Sequence, residues 1–302
     1  GALPELSDDY FRFLWDGRLW ANGINPFSAL PSSILALSEL PQGITPELYN
    51  QLNSPEYFSV YPPIGQFTFG LAAILFPEND LAAVIILRVI LILGDLFAFY
   101  SLRKILDHFR KPRDLAYIYL LCPLTIIEFT GNLHYEGLMM AFVLNAFYQI
   151  LKRRWLSSAV LFGIAVSTKL IPLLFLPFLF RFAGWRIALT YYAVVALVLA
   201  ILFSPFFSVE LITHFSESLD LYFRRFEFNA SLYYLVREIG YRISGFNKIA
   251  LIGPLMSAGT FLIIMIWALA GRSALREKAM PALWMGAHTV FLLLATTVHP
   301  WY

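Results

Sequence analysis

The richest set of side chains able to do chemistry lies near the start of the chain, in Ser7-Asp8-Asp9-Tyr10-Phe11-Arg12-Phe13-Leu14-Trp15-Asp16-Gly17-Arg18, and continues to Asn25-Pro26-Phe27. Ser7 is a good N-cap, acids fill the first turn and Gly23 marks a stop, so the pattern predicts a helix. On that helix Asp9, Arg12 and Asp16 fall at i, i+3 and i+7 and share one face. Two readings stay open. The three can be capping and intrahelical ion pairs, each worth about 0.3 kcal/mol. Or they are a carboxylate general base, Asp9 or Asp8, held by an arginine at a membrane surface.

Further along, Tyr61-Pro62-Pro63 opens a short apolar run. Prolines start helices routinely, and an aromatic, proline-rich entry also suits a re-entrant element lining a cavity. Gly131-Asn132-Leu133-His134-Tyr135-Glu136-Gly137 packs Asn132, His134 and Glu136 into a tight turn between apolar runs. It can be a hydrated loop, but ionisable groups at the edge of a span are functional candidates. His134 and Glu136 offer a divalent metal ion two ligands, fewer than a metal site takes; a divalent metal stays an option and no cofactor is assigned. Lys169 stands between two apolar runs, where it either snorkels or meets a lipid phosphate as a point charge. Arg224 and Arg225 can be weighed in the same way against a solvated loop face. His299 beside Trp301 and Tyr302 is a pocket residue or part of an interfacial aromatic belt. Asn229-Ala230-Ser231 matches a glycosylation sequon, a pattern common by chance. Arg88, deep in an apolar run, is expected to pair with a carboxylate or face a polar cavity; Asp95 lies a turn too far along to be its assured partner.

These residues need a scaffold, and the composition makes lipid its solvent. Of the 302 residues 59% are hydrophobic and 14% charged, and the mean hydropathy is +0.67. Soluble domains carry about 25% charge. A net charge of +2 gives no reason for a nucleic-acid partner. The single cysteine, Cys122, excludes an intrachain disulfide and a cysteine-based metal site. Seventeen prolines and seventeen glycines in mostly helical sequence suggest helices broken where they line a cavity.

Apolar runs place eight candidate spans at 81–102, 115–130, 137–151, 155–168, 170–182, 187–207, 249–270 and 281–298. Basic residues cluster in every second connection: Arg103 to Arg113, Lys152 to Arg154, Arg181 with Arg186, and Arg272, Arg276 and Lys278. The positive-inside rule puts those connections in the cytoplasm. The opposite face then receives the 131–137 turn, Lys169, the stretch 208–247 and the closing His299-Pro300-Trp301-Tyr302. Residues 1–80 fit that outer face: their acids, from Glu5 to Asp80, far outnumber Arg12 and Arg18. The apolar piece 64–76 is too short for a span and is expected to dip in and return. No initiating Met, signal peptide or span precedes Gly1, and Trp301-Tyr302 directly follows a span, so further helices are expected at both ends. We take 1–302 as one membrane domain, with 1–80 as its first external loop and about eight transmembrane helices in 81–302.

The string from Ser7 to Phe27 with Tyr61-Pro62-Pro63 resembles the first external loop of the bacterial GT-C glycosyltransferases, multi-pass enzymes that use polyprenyl-phosphate sugars. Segment 131–137, Thr168-Lys169 with Pro172, Phe226-Glu227-Phe228-Asn229-Ala230-Ser231-Leu232 and His299-Pro300-Trp301-Tyr302 recur in similar order there. Each motif is short; their ordered combination is the specific signal. The resemblance implies an all-α, polytopic transmembrane bundle of GT-C type, with a large first external loop bearing interfacial helices. It implies inverting transfer of a mannose-like hexose from a polyprenyl-phosphate-linked sugar donor to a glycan or lipid acceptor, on the periplasmic side of the inner membrane. Asp9 best matches the base, since Arg12 follows in an Asp-x-x-Arg pattern, with Asp8 as fallback. Lys169, with an arginine, would meet the phosphate. The substrate-binding candidates are Arg12, Asp16, Tyr61, Asn132, His134, Glu136, Lys169, Arg224, Arg225 and His299. A transporter or flippase is the alternative of another class, and would show mid-membrane ion pairs and internal symmetry. A lipid-linked oligosaccharide ligase or polymerase would place its key arginines and histidine in a late large loop.

Overall fold

The computed structural model describes residues 2–270 and 276–302; Arg272, expected in the last basic connection, lies outside them. Among the described residues the regular structure is helical, apart from an isolated bridge between Phe228 and Thr297. The longer helices are α1 (Asp9–Ala21), α2 (Pro63–Leu75), α3 (Asp80–His108), α4 (Glu136–Leu151), α5 (Trp155–Thr168), α6 (Trp185–Phe203), α7 (Leu211–Arg224), α8 (Leu232–Ser244), α9 (Ile249–Leu269) and α10 (Met280–Leu294). The molecule is an all-α membrane bundle.

Among the described residues three helices are long and apolar enough to cross a membrane: α3, α6 extended to Phe206, and α9. Arg113–Leu120 and Thr125–Gly131 are apolar enough only when taken together and are bent by 60° at their break, the form of a broken span or of a re-entrant loop. Pro123 sits in the break, where it supplies no amide hydrogen, and Thr125–Gly131 is π-helical. The expected spans 137–151, 155–168 and 281–298 correspond to α4, α5 and α10, at 16, 14 and 15 residues. A straight crossing needs about 20. The expected span 170–182 needs correction. It is a 3-10 turn, Ile171–Phe175, followed by the seven-residue helix Pro177–Ala183, because Pro172 and Pro177 interrupt the amide ladder. Segment 64–76 forms α2, 13 residues long.

The described residues gather into two compact units, one holding 2–170, 194–216 and 301, the other those of 171–193, 217–300 and 302. In the first, α1 ends as its sequence predicts. Gly23 takes φ +76, its amide bonds to Trp20 O and the next amide, of Ile24, reaches Leu19 O, which closes the last turn. Helices α1 and α2 lie backbone to backbone. A Cβ on Gly17 would strike the Phe69 carbonyl, and one on Gly70 would enter the Trp20 ring. Phe13 stacks on Phe69 at 4.5 Å, with Tyr61 and Tyr135 edge-on to both. That aromatic block joins the first loop to the 131–137 turn. Arg18 binds Asp80 and the Gly43 carbonyl, fastening the end of α1 to the start of α3.

The second unit is organised around Phe175 stacked on Trp284 at 5.1 Å and Phe178 edge-on to Trp267. Arg181 binds the Ala270 carbonyl at the C-terminus of α9, where a cation is favoured.

Candidate active site

Asp9 begins α1, half-buried, with the exposed Asp8 as its N-cap. The Asn53 amide donates to both acids, to Asp8 Oδ1 at 3.0 Å and Asp9 Oδ1 at 2.9 Å. Burial pushes the Asp9 carboxyl above the ordinary aspartate range; the Asn53 hydrogen bond and the charge of Lys169 pull the other way, and Asp8 adds to the rise. A carboxyl whose proton affinity is raised is a stronger base toward a hydroxyl proton.

Arg12 and Asp16 were expected on the same working face as Asp9, as substrate contacts. Both are buried, at 3% and 0% exposure. Arg12 Nε donates to Asp16 Oδ1 at 2.7 Å, while Ser59 and Gln66 donate to Asp16 Oδ2. Arg12 Nη1 donates to the carbonyls of Tyr57 (3.0 Å) and Ser54 (3.3 Å). The opposite charges are paired, and Arg12 Nε and Nη1 and both Asp16 oxygens find internal partners, as burial favours. The pair positions the coil that carries Asn53. Tyr61 likewise serves the aromatic block, edge-on to Phe13 at 4.9 Å.

Lys169 follows the last turn of α5. Its backbone is extended (φ −152, ψ 148) and Pro172 lies three residues on, so the helix stops and the side chain leaves its axis. The ammonium binds Glu136 Oε1 at the first turn of α4. Glu136 is 3% exposed, and its Oε2 has no hydrogen-bond partner among the described residues. Lys169 also lies within electrostatic reach of Asp9, as does Glu136. Three candidates from separate stretches of sequence thus lie within electrostatic range of one another, with Lys169 and Glu136 in direct contact.

The 131–137 turn is buried at Asn132 and His134. Asn132 donates to Glu128 Oε2 at 3.0 Å, His134 Nε2 lies 3.4 Å from the same atom, and the His134 ring stacks on Trp301 at 3.6 Å. Leu133 holds φ +63, a left-handed conformation that costs a non-glycine residue about 1 kcal/mol and collects at functional turns. Among the described residues Arg88 pairs with no carboxylate. It donates to the carbonyls of Thr130, Gly131 and Ala2, because the π-helical turn ends there and leaves acceptors open. Asp95 instead accepts from Tyr119 at 2.7 Å and Thr130 at 3.0 Å.

Arg224, Arg225 and His299 belong to the second unit. Arg224 pairs with Asp220, both about half exposed. The Arg225 amide closes the end of α7 on Leu221 O. His299 stacks on Phe228 at 5.2 Å, while Phe228 exchanges backbone bonds with Thr296 and Val298. The Phe226-Glu227-Phe228-Asn229 motif and the closing His299-Pro300 are therefore neighbours. As to metal, His134 faces Glu128 and Glu136 faces Lys169; among the described residues no group of three His, Cys, Asp or Glu side chains is arranged to hold an ion. Asn53 and Glu128, which contact the candidate residues here, are not singled out by the sequence, and Trp301 stands there only in the closing motif. For Asn53 and Glu128 the available signal was weak, a polar residue in a candidate outer loop and an acid inside an apolar run.

Three comparisons bear on this geometry. A family model described as ALG3 protein matches residues 128–292. Alpha-(1->6)-mannopyranosyltransferase A of Corynebacterium glutamicum is 24% identical over 190 residues, 61% of this chain and 37% of that protein. The chain thus spans well under half the length of this curated relative. The family model described as Alpha-(1->6)-mannopyranosyltransferase, N-terminal domain, matches residues 1–185, which contain α1, Asn53, Glu136 and Lys169. That match covers more than half of the chain, and with it the chain belongs to the alpha-(1->6)-mannopyranosyltransferase N-terminal-domain family, among the GT-C-type mannosyltransferases.

Proposed function

We propose that this chain is the catalytic membrane portion of a glycosyltransferase that moves mannose from a polyprenyl-phosphate donor to a glycan or lipid acceptor at the periplasmic face. The observation that carries the reading is the cluster in which Lys169 stands within reach of both Asp9 and Glu136. Mannose as the sugar is drawn from the names of the matching family and relative. Asp9 takes the proton of the acceptor hydroxyl as its oxygen attacks the anomeric carbon. The bond from that carbon to the phosphate oxygen breaks with inversion, and the polyprenyl phosphate leaves as an anion that Lys169 meets. Glu136 holds the ammonium in place, and Asn53 holds Asp9. A greasy donor and a water-soluble acceptor meet at the interface, which suits a site formed by helix ends of a membrane bundle.

Kinetics of the full-length protein in membranes test this. Asp9→Asn is expected to abolish transfer while leaving KM for the donor close to wild type. Lys169→Ala is expected to raise that KM. Transfer at wild-type rate by Asp9→Asn would remove the base assignment, and an unchanged donor KM in Lys169→Ala would remove the phosphate role.

A further inference from the structure

We propose that α8 is an interfacial helix that lies in the surface of the bilayer on its own apolar stripe, independently of how the catalytic cluster works. Leu232, Leu235, Val236, Ile239 and Ile243 recur at i, i+3, i+4, i+7 and i+11, which confines them to an arc of about 100°. The stripe is open, with Leu235 63% and Ile243 79% exposed. It is not the side by which the helix packs. Tyr233 is fully buried, Gly240 faces Ile252 of α9, and Arg237 reaches inward to Glu227 at 3.0 Å. Nor is it the charged side, where Glu238 and Arg242 pair at 2.9 Å. The helix therefore has three sides: one against protein, one charged, and one apolar that the described protein leaves bare.

The neighbouring element says what covers the third. Gly245, at φ +78, turns the chain from α8 into α9, a helix of membrane-crossing length. Leu251, Leu255, Leu262 and Ile266 of α9 are exposed along one face of that helix, as acyl chains require. Between the two helices Phe246 is exposed, with the Lys248 ammonium 5.6 Å from its ring centroid, an aromatic–lysine combination typical of the headgroup level. The bare stripe of α8 adjoins a lipid-facing helix at its membrane end, so the occupant is the bilayer surface, with apolar side chains at the headgroup–acyl boundary and Glu238 and Arg242 toward water.

The test uses the chain reconstituted in phosphatidylcholine vesicles, with Cys122→Ser removing its single cysteine. Environment-sensitive fluorophores go on Ile239→Cys, Ile243→Cys and, on the charged side, Arg242→Cys; none of these alters the packing side. Shallow spin-labelled lipid is expected to quench the first two strongly and aqueous iodide to quench them weakly, with the order reversed at Arg242→Cys. Iodide quenching at Ile243→Cys equal to that at Arg242→Cys would overturn the proposal in favour of a solvated helix. Protection of Ile243→Cys from both quenchers would overturn it in favour of a protein partner.

Discussion

The pairing of Lys169 with Glu136 makes a prediction whose size follows from burial. Glu136 is 3% exposed, one of its oxygens has no hydrogen-bond partner among the described residues, and the other rests on Lys169. Removing one member of a buried pair strands the other charge and costs about 3–5 kcal/mol. The Lys169 side chain keeps 22% exposure, so screening from that side places the expected loss near the low end, about 3 kcal/mol. Lys169→Met keeps the length of the stem and removes the ammonium. Glu136→Gln leaves a partly solvated ammonium with a polar neighbour and should cost about 1 kcal/mol. If the damage in Lys169→Met is a stranded carboxylate, adding Glu136→Gln should recover most of it. The double variant would then lie about 1 kcal/mol below wild type, a coupling of about 3 kcal/mol. Reversible unfolding in mixed micelles, followed by far-ultraviolet circular dichroism, gives all four stabilities. Losses that simply add, or a Lys169→Met variant within about 0.5 kcal/mol of wild type, would refute the stranded-charge account.

Asn53 bonds to the charged form of Asp9 and so holds its carboxyl down. Asn53→Ala should raise that carboxyl further and move the acid limb of the transfer profile to higher pH, because the hydrogen bond that favours its charged form is lost. Asp8→Asn removes a like charge and should move the same limb to lower pH. Gly17→Ala, whose Cβ would strike the Phe69 carbonyl, should cost about 2 kcal/mol by forcing α1 and α2 apart, measured by the same unfolding assay. Tyr135→Phe removes the 2.6 Å bond to Thr68 and should cost about 1 kcal/mol.

The elements fixed by local chemistry were legible. Acids at the start and glycine at the end defined α1, although the cap falls on Asp8 and Ser7 Oγ reaches the Asp9 amide at 3.4 Å. Long uninterrupted apolar runs predicted α3, α6 and α9. Segment 170–182 failed because hydropathy does not see the missing amides of Pro172 and Pro177. For Arg88 the carboxylate alternative overlooks carbonyls, and the π-helical turn that exposes them has no sequence signature. Lys169 and Glu136 were each singled out for their place at a helix end, yet they are 33 residues apart and no periodicity joins them. Asn53 reaches Asp9 across 44 residues of chain, through a coil whose path is set by packing.

That path gives the Asp-x-x-Arg pattern a mechanical meaning that spacing alone does not supply. Three residues along a helix turn the side chain through about 300°, close enough for a neighbouring arginine to reach an aspartate directly. Here it turns inward instead. Arg12 spends Nε on Asp16 and Nη1 on the carbonyls of Ser54 and Tyr57. Those carbonyls belong to the segment that starts at Asn53, and the Asn53 amide returns to Asp8 and Asp9 at the start of the same helix. The arginine therefore acts on the acid through a closed loop of chain, not through contact. A lysine at position 12 would keep the charge but lose the fork that serves Asp16 and the two carbonyls together. The loop would loosen while Asp9 kept its place in α1, so a defect at Arg12 should resemble loss of Asn53 more than loss of Asp9.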